Sequence, residues 1–511
     1  MNGARLRTAM AAVVVMFASA LVEMPLCTDE VQRSDSADYL RAVRGGVLGT
    51  YLDTNSVAFP RFVSLIRNRS LTEGHPWEYL SRQSDATALR HFHVPLGYYG
   101  SAIVASYGAS DRVHRLLPAI AGVLTCGLVV FIMRRMGAGI FLSVVAALAI
   151  AVNGRFVATA AALSPHPWYI LAALLFLDRY AAFLQRGGRK RLVAAAAALA
   201  AAFACMELAP ALVLAAVPAT FVAHPEWLRA MFQPRRWWRD ATAAGAVFLA
   251  VLFVAWPGGI LRGGYLVSYA SFVAQALFKR GEMFPPWTAA GTYERLFDSS
   301  ALLVAVCCAG LVLLAVLIAR RRAPGSASLF GLYAAAAFVL NAGNGFMNST
   351  YAAEAIVFLL LAAAIALHCW TASVEPTYRR AAVLASCLLI AVCAAHEFLQ
   401  APVRTSPADA LELAVKGLPS LVPGGTTLLV NRNPQTFAAY LPEYRIEPTL
   451  TESSTQPNSP RLAGTPEYLV LDLGPLGART LDTVAASSRE VARFRSRKGG
   501  SDIVLWRRQG N

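Results

Sequence analysis

The chain has 511 residues, 56% of them hydrophobic and 15% charged, with 46 basic against 30 acidic side chains for a net charge of +16. An ordinary soluble protein carries about 25% charged residues, so this composition excludes one. A bilayer core asks for roughly 20 mostly apolar residues per helix, and such Ala-, Leu- and Val-rich stretches recur from Thr8 to Phe398.

Eleven stretches read as membrane spans: about 8–26, 114–133, 140–157, 168–184, 192–206, 208–223, 241–257, 300–319, 328–343, 351–370 and 381–398. The loops on one side of these spans hold eighteen basic residues, among them Arg134, Arg135, Arg189, Lys190, Arg191 and Arg320 to Arg322. The short loops opposite hold five: Arg155, Arg262, Lys279, Arg280 and Arg295. Cytoplasmic loops are the ones enriched in Lys and Arg. The positive charge therefore encodes orientation, and nucleic-acid binding is not expected. The N-terminus is expected in the cytoplasm and the tail outside, in a cell inner or plasma membrane.

The first apolar run follows Arg5 and Arg7 and contains "ASA" at 18–20, as a signal peptide would. It continues past that point and further spans follow, so it reads as the first span. Of the eight cysteines only Cys27 falls near the outer surface, and neither a disulfide framework nor a metal-binding spacing is present. The loop 27–113 that comes next is far longer than an ordinary connection. In it "SADYLRAVRGGVL" and "SVAFPRFVSLIRN" place apolar residues at helical spacing beside Arg, as interfacial helices do. "VPLGYYGSAIVASYG" (94–108) is expected to be a third such helix rather than a span.

A second outer loop, 257–299, carries "FKRGEMFPPWTAAGTYERLFD". "NRS" (68–70) and "NST" (348–350) match the glycosylation pattern, a short motif that also arises by chance. After residue 402 the character changes. "TTLLVN", "EYLVLDL" and "DIVLWRR" read as strands and alternate with the helical "PADALELAVKGL" and "ARTLDTVAASS". The expected fold class is thus a polytopic α-helical membrane domain, residues 1–402, followed by a small α/β extracytoplasmic domain, residues 403–511. That tail offers no candidate acid, base or phosphate loop, so it is expected to be dispensable for chemistry.

Four carboxylates crowd the exit of the first run in "LCTDEVQRSDSADYL": Asp29, Glu30, Asp35 and Asp38. A transporter keeps ionisable groups inside its spans. Here the spans read as nearly free of charge, and the polar groups gather in outer loops. That pattern suits chemistry at the outer interface on a lipid-borne substrate.

The order of an acidic pair after the first span, a long helical loop, "RHFHVPLGYYG" and then "RLLPAIAGVL" resembles the GT-C superfamily of polyprenyl-phosphate-dependent glycosyltransferases. Within it the protein O-mannosyltransferases and lipid A aminoarabinose transferases are most similar, and the matched order covers roughly residues 8–185. The resemblance implies a polyprenyl-phosphate sugar donor, a lipid, glycan or protein acceptor, inversion at the anomeric carbon, and Asp29, or its neighbour Glu30, as general base. Read by itself, without the resemblance, Asp29 with Thr28 is more simply a helix cap. His93, Pro95 and Leu96 match the family's basic-x-Pro-Leu element, with His91 beside them, as cations for the departing phosphate.

The family next places an Arg and an acid in the following outer loop. "NGRFVATAAALSPHPW" supplies Arg155 but has His166 where the acid is expected. A divalent cation, Mg or Mn, would want carboxylate oxygens there, so the metal ligands stay unassigned. Lys279 and Arg280, with Glu282, are donor-phosphate candidates or a solvated loop. Tyr351 and Glu354 in "STYAAEAIVF" resemble the polar start of a late, cavity-facing span. Two other classes stay open: a flippase for lipid-linked sugars, and a scaffold whose outer domain recruits partners.

Overall fold

The computed structural model describes residues 3–32, 35–44, 46–47, 95–206, 208–226, 234–257, 301–343, 349–400, 410–431, 433–448, 467–474, 478–496 and 501–508. Two units emerge. One comprises Met1–Cys27, Gly45–Ala109 and Val113–Pro402; the other comprises Thr28–Arg44, Ser110–Arg112 and Val403–Asn511.

The helices in chain order are α1 (Gly3–Glu23), α2 (Asp35–Val43), α3 (Tyr99–Ala105), α4 (Asp111–Arg135), α5 (Ile140–Ala151), α6 (Gly154–Ala160) and α7 (His166–Arg186). They continue as α8 (Arg189–Cys205), α9 (Pro210–Ala223), α10 (Pro234–Ala255), α11 (Ala301–Ala319), α12 (Ala327–Gly343), α13 (Ser349–Ser373) and α14 (Pro376–Gln400). Each of the eleven apolar runs is helical. Among the described residues seven helices are long and apolar enough to cross a membrane, or eight if the bent pair α5–α6 is one span. The first unit is thus polytopic and helical.

The run expected as one span over 140–157 is broken. α5 and α6 meet at 65°, and Asn153 Oδ1 accepts the Phe156 N–H at 3.0 Å. That N-cap satisfies one of the donors a helix start leaves open. The segment "VPLGYYGSAIVASYG" forms a 3-10 turn over Pro95–Tyr98 followed by α3, too short to cross a bilayer.

Small residues let the helices approach, as membrane packing favours. A Cβ on Gly310 would stand 2.5 Å from that of Ala363, so α11 lies hard against α13. At the end of α4, Asp178 of α7 is buried yet paired: Arg135 Nε and Nη2 reach its two oxygens at 2.5 and 3.2 Å, and Arg179 Nε stands at 3.5 Å. A fork of this kind offsets much of the cost of burying a carboxylate.

In the second unit α15 (Ala410–Leu421), β1 (Thr427–Val430), α16 (Pro434–Tyr440), β2 (Arg445–Pro448), β3 (Tyr468–Asp472), α17 (Ala478–Ser487), β4 (Ser488–Phe494) and β5 (Ile503–Arg508) follow in order. The sheet order is β2-β1-β3-β5-β4, with β1 parallel to both β2 and β3 and β5 antiparallel to β3 and β4. Leu428, Val430, Tyr468, Val470, Ile503 and Leu505 share one apolar cluster with Leu411, Ala414 and Leu418 of α15. Leu429, Leu469 and Leu471 alternate onto the other face with Val484 of α17. Strands covered on both faces read as continuous apolar runs, which is why "TLLV" and "YLVLD" were visible in the sequence.

Val31 belongs to that first cluster. The start of the long loop is therefore built into the fold of the tail.

Candidate functional site

Within the first unit, the short α6 is the crossing point. It packs against α1, α5, α7 and α13, because the bend at Val152–Asn153 turns it in among them. Arg155 is its second residue and is half-buried. His166 opens α7, is buried, and its backbone N–H reaches Ser164 Oγ at 3.3 Å.

Two glutamates lie buried among these helices. Glu354, in the second turn of α13, is 1% exposed. Tyr333 of α12 donates its hydroxyl to Glu354 Oε1 at 3.2 Å, and the Tyr169 hydroxyl of α7 stands 2.7 Å from that of Tyr333. Phe358 holds the Tyr333 ring edge-on, centroids 4.6 Å apart. The result is a buried relay of two phenols and a carboxyl from three helices. Glu354 Oε2 has no hydrogen-bond partner among the described residues.

Glu23, in the last turn of α1, is the second, and it corrects the expectation of spans nearly free of charge. It is fully buried. Ser19 Oγ donates to its Oε1 at 2.5 Å and lies 3.5 Å from Cys126 Sγ of α4. Its Oε2, also without a hydrogen-bond partner among the described residues, rests against Gly122 of α4. The signal was a lone acid inside an apolar run, "ALVEMPL", and such a residue is by default a functional candidate.

In the second unit Asp29 is exposed, and its Oδ1 accepts the backbone N–H of Arg112 in the first turn of α4 at 2.9 Å. A carboxylate there complements the open donors and the positive end of a helix. Glu30 beside it is half-buried. Asp35 is the first residue of α2, Asp38 lies within it, and Tyr351 sits in the first turn of α13. His91, His93, Lys279, Arg280 and Glu282 lie outside the described residues.

Among the described residues no group of three or more His, Cys, Asp and Glu side chains is placed to hold a metal ion.

No protein-family profile matches the sequence, and no curated protein matches it either. Solved structures do. ArnT from Cupriavidus metallidurans in its apo state superimposes with a TM-score of 0.56 at 17% identity, over 96% of this chain and 97% of that one. The chain shares the fold of that ArnT. A second crystal structure of the same ArnT, bound to undecaprenyl phosphate, aligns at a TM-score of 0.48 and 15% identity over 99% of this chain. The likeness of fold to the apo ArnT covers 96% of this chain, beyond the stretch 8–185 that carries the resemblance in sequence.

Proposed function

We propose that this chain is an integral membrane glycosyltransferase that takes a sugar from a polyprenyl-phosphate donor to an acceptor on the extracytoplasmic face. The observation that carries the reading is the fold likeness to ArnT over nearly the full length of both chains. ArnT is described bound to undecaprenyl phosphate, and we extend that class of donor lipid to this chain. The topology that goes with it has eleven spans, a cytoplasmic N-terminus and residues 403–511 outside.

Asp29 removes the acceptor hydroxyl proton as the oxygen attacks the anomeric carbon. The bond from that carbon to the donor phosphate breaks, the configuration inverts, and polyprenyl phosphate leaves. Glu30 is the neighbouring carboxylate. His91, His93, Arg155, His166, Lys279 and Arg280 are the cations and donors we assign to the phosphate, with Tyr351 and Glu354 on the substrate side. Cations held against a leaving phosphate favour its departure.

One observation favours a second reading, transport of a lipid-linked sugar: two buried glutamates, Glu23 and Glu354, lie in apolar helices of span length, where transporters place their substrate and proton sites. One experiment separates the two. The purified protein is incubated in detergent with labelled polyprenyl-phosphate sugars and an acceptor extract. Release of free polyprenyl phosphate supports transfer. Its absence across the panel, with lipid movement in proteoliposomes, establishes transport instead.

A further inference from the structure

Asp29 belongs to a closed circuit of hydrogen bonds inside the second unit. Its Oδ1 takes the Arg112 N–H at 2.9 Å. The carboxylate of the preceding residue, Asp111, takes the Tyr440 hydroxyl proton. The oxygen of that same hydroxyl accepts the backbone N–H of Gln32 at 2.7 Å, and Gln32 leads back through Val31 and Glu30 to Asp29. Three further ties hold the ring. Thr436 Oγ1 donates to the Gln32 carbonyl at 3.1 Å. The Arg44 guanidinium donates to the Ala439 carbonyl and lies 5.3 Å from the Tyr440 ring centroid. Val31 is buried in the same apolar cluster as Phe437 and Leu441.

Residues 28–32 have no helix or strand of their own. Left alone, such a segment samples many backbone conformations, and ordering it has an entropic cost. Here α16 supplies ties, and the Tyr440 hydroxyl joins the Gln32 backbone to the Asp111 carboxylate, next to the residue whose N–H Asp29 accepts.

We propose that Tyr440 is a positioning residue for Asp29, so that the C-terminal unit takes part in the reaction by holding the segment that bears the base. This rests on the glycosyltransferase reading and runs against the expectation of a dispensable tail. Phe at 440 keeps the ring in its place but removes both the donor to Asp111 and the acceptor for Gln32. A displacement of about 1 Å in a catalytic group can cost about 10²-fold, so a loosened anchor is expected to cost about 10-fold in kcat while donor KM stays the same.

The test uses the full chain in nanodiscs, with Tyr440→Phe, Asp29→Asn and the pair measured for transfer, thermal unfolding and amide hydrogen exchange over residues 28–32. The expected result is faster exchange and lower kcat in Tyr440→Phe, with no additional loss when it is added to Asp29→Asn, because the two act through one group. Losses that multiply in the pair, or wild-type turnover in Tyr440→Phe, overturn the positioning role alone. Wild-type turnover in Asp29→Asn refutes the base and the positioning together, whereas no transfer by the unmodified protein refutes the glycosyltransferase reading itself. If Tyr440→Phe fails to fold, Thr436→Val removes a single tie to Gln32 and should show the same pattern at smaller size; additivity there also overturns the proposal.

Discussion

Glu23 Oε2 lies so close to Gly122 that any Cβ at position 122 would overlap it, and the same Cβ would stand 2.9 Å from that of Ala160. Helices α1, α4 and α6 therefore meet on one carboxyl oxygen. Gly122→Ala is expected to destabilise the first unit by about 1–3 kcal/mol, the usual range for overpacking. Glu23→Ala makes room, so the double variant should lose less than the two single losses combined. Thermal unfolding in detergent measures all three, and additive losses would mean that the carboxyl moves aside easily.

Removing the Tyr333 hydroxyl breaks the link between Tyr169 and Glu354. Tyr333→Phe leaves the buried Glu354 Oε1 without its Tyr333 donor. Each buried polar group left so costs about 1–3 kcal/mol. Tyr169→Phe, at the end of the relay, should cost less. Equal unfolding temperatures for Tyr333→Phe and the unmodified protein would show that Glu354 finds another donor.

Much of this was legible beforehand, for identifiable reasons. Apolar Ala- and Leu-rich runs form helices whatever their neighbours, and all eleven are helical, the 140–157 run as two helices rather than one. The bend at Asn153 was signalled by "VNGR", an N-cap followed by Gly, but apolar residues resume after it and mask the break. β4, "SREVARF", has charged residues on an exposed edge and no apolar alternation, so only pairing with β5 makes it a strand. Least readable was the link between Gln32 and Tyr440, 408 residues apart. No local periodicity encodes it.

For Asp29, the bond to Arg112 needs only a carbonyl-type acceptor, which Asn retains. Asp29→Asn should therefore fold normally yet cannot take up a proton. General base catalysis is worth about 10²–10⁴-fold, and turnover should fall by that order with donor binding intact. Asp35→Asn and Asp38→Asn serve as controls and are expected to be nearly silent. Near-normal turnover in Asp29→Asn moves the base to Glu30, and activity in the double Asn/Gln variant removes these carboxylates from the chemistry.

Burial, and the hydrogen bond to the Asp111 carboxylate, raise the Tyr440 pKa above its ordinary value of 10.0. A phenol held protonated in the fold contributes stability that is complete below its unfolded pKa and is lost as pH rises through the folded one. The second unit should thus hold steady through neutral pH and weaken from about pH 10 upward. Tyr440→Phe should flatten that alkaline slope. Unfolding temperature against pH in the two proteins is the measurement, and parallel curves would assign the slope to other groups.

The topology is open to a direct check. A reporter fused after Asn511 is expected to be active only outside the cytoplasm, and one placed at Arg320 to Arg322 only inside, as the eighteen-to-five bias of basic loop residues requires. The opposite result at Asn511 would sink the eleven-span scheme.

The second unit takes one piece from the start of the chain, three residues from its first quarter and the rest from its end. A ribosome works from one end at about 5–20 residues per second, so the stretch around Gln32 waits roughly 20–80 seconds for Tyr440 to be made. Through that interval the helices enter the membrane one after another while the segment bearing Asp29 still lacks its mate. A product cut short by early termination or proteolysis never acquires it. The segment bearing the proposed base is thus tied in only after translation has passed Tyr440.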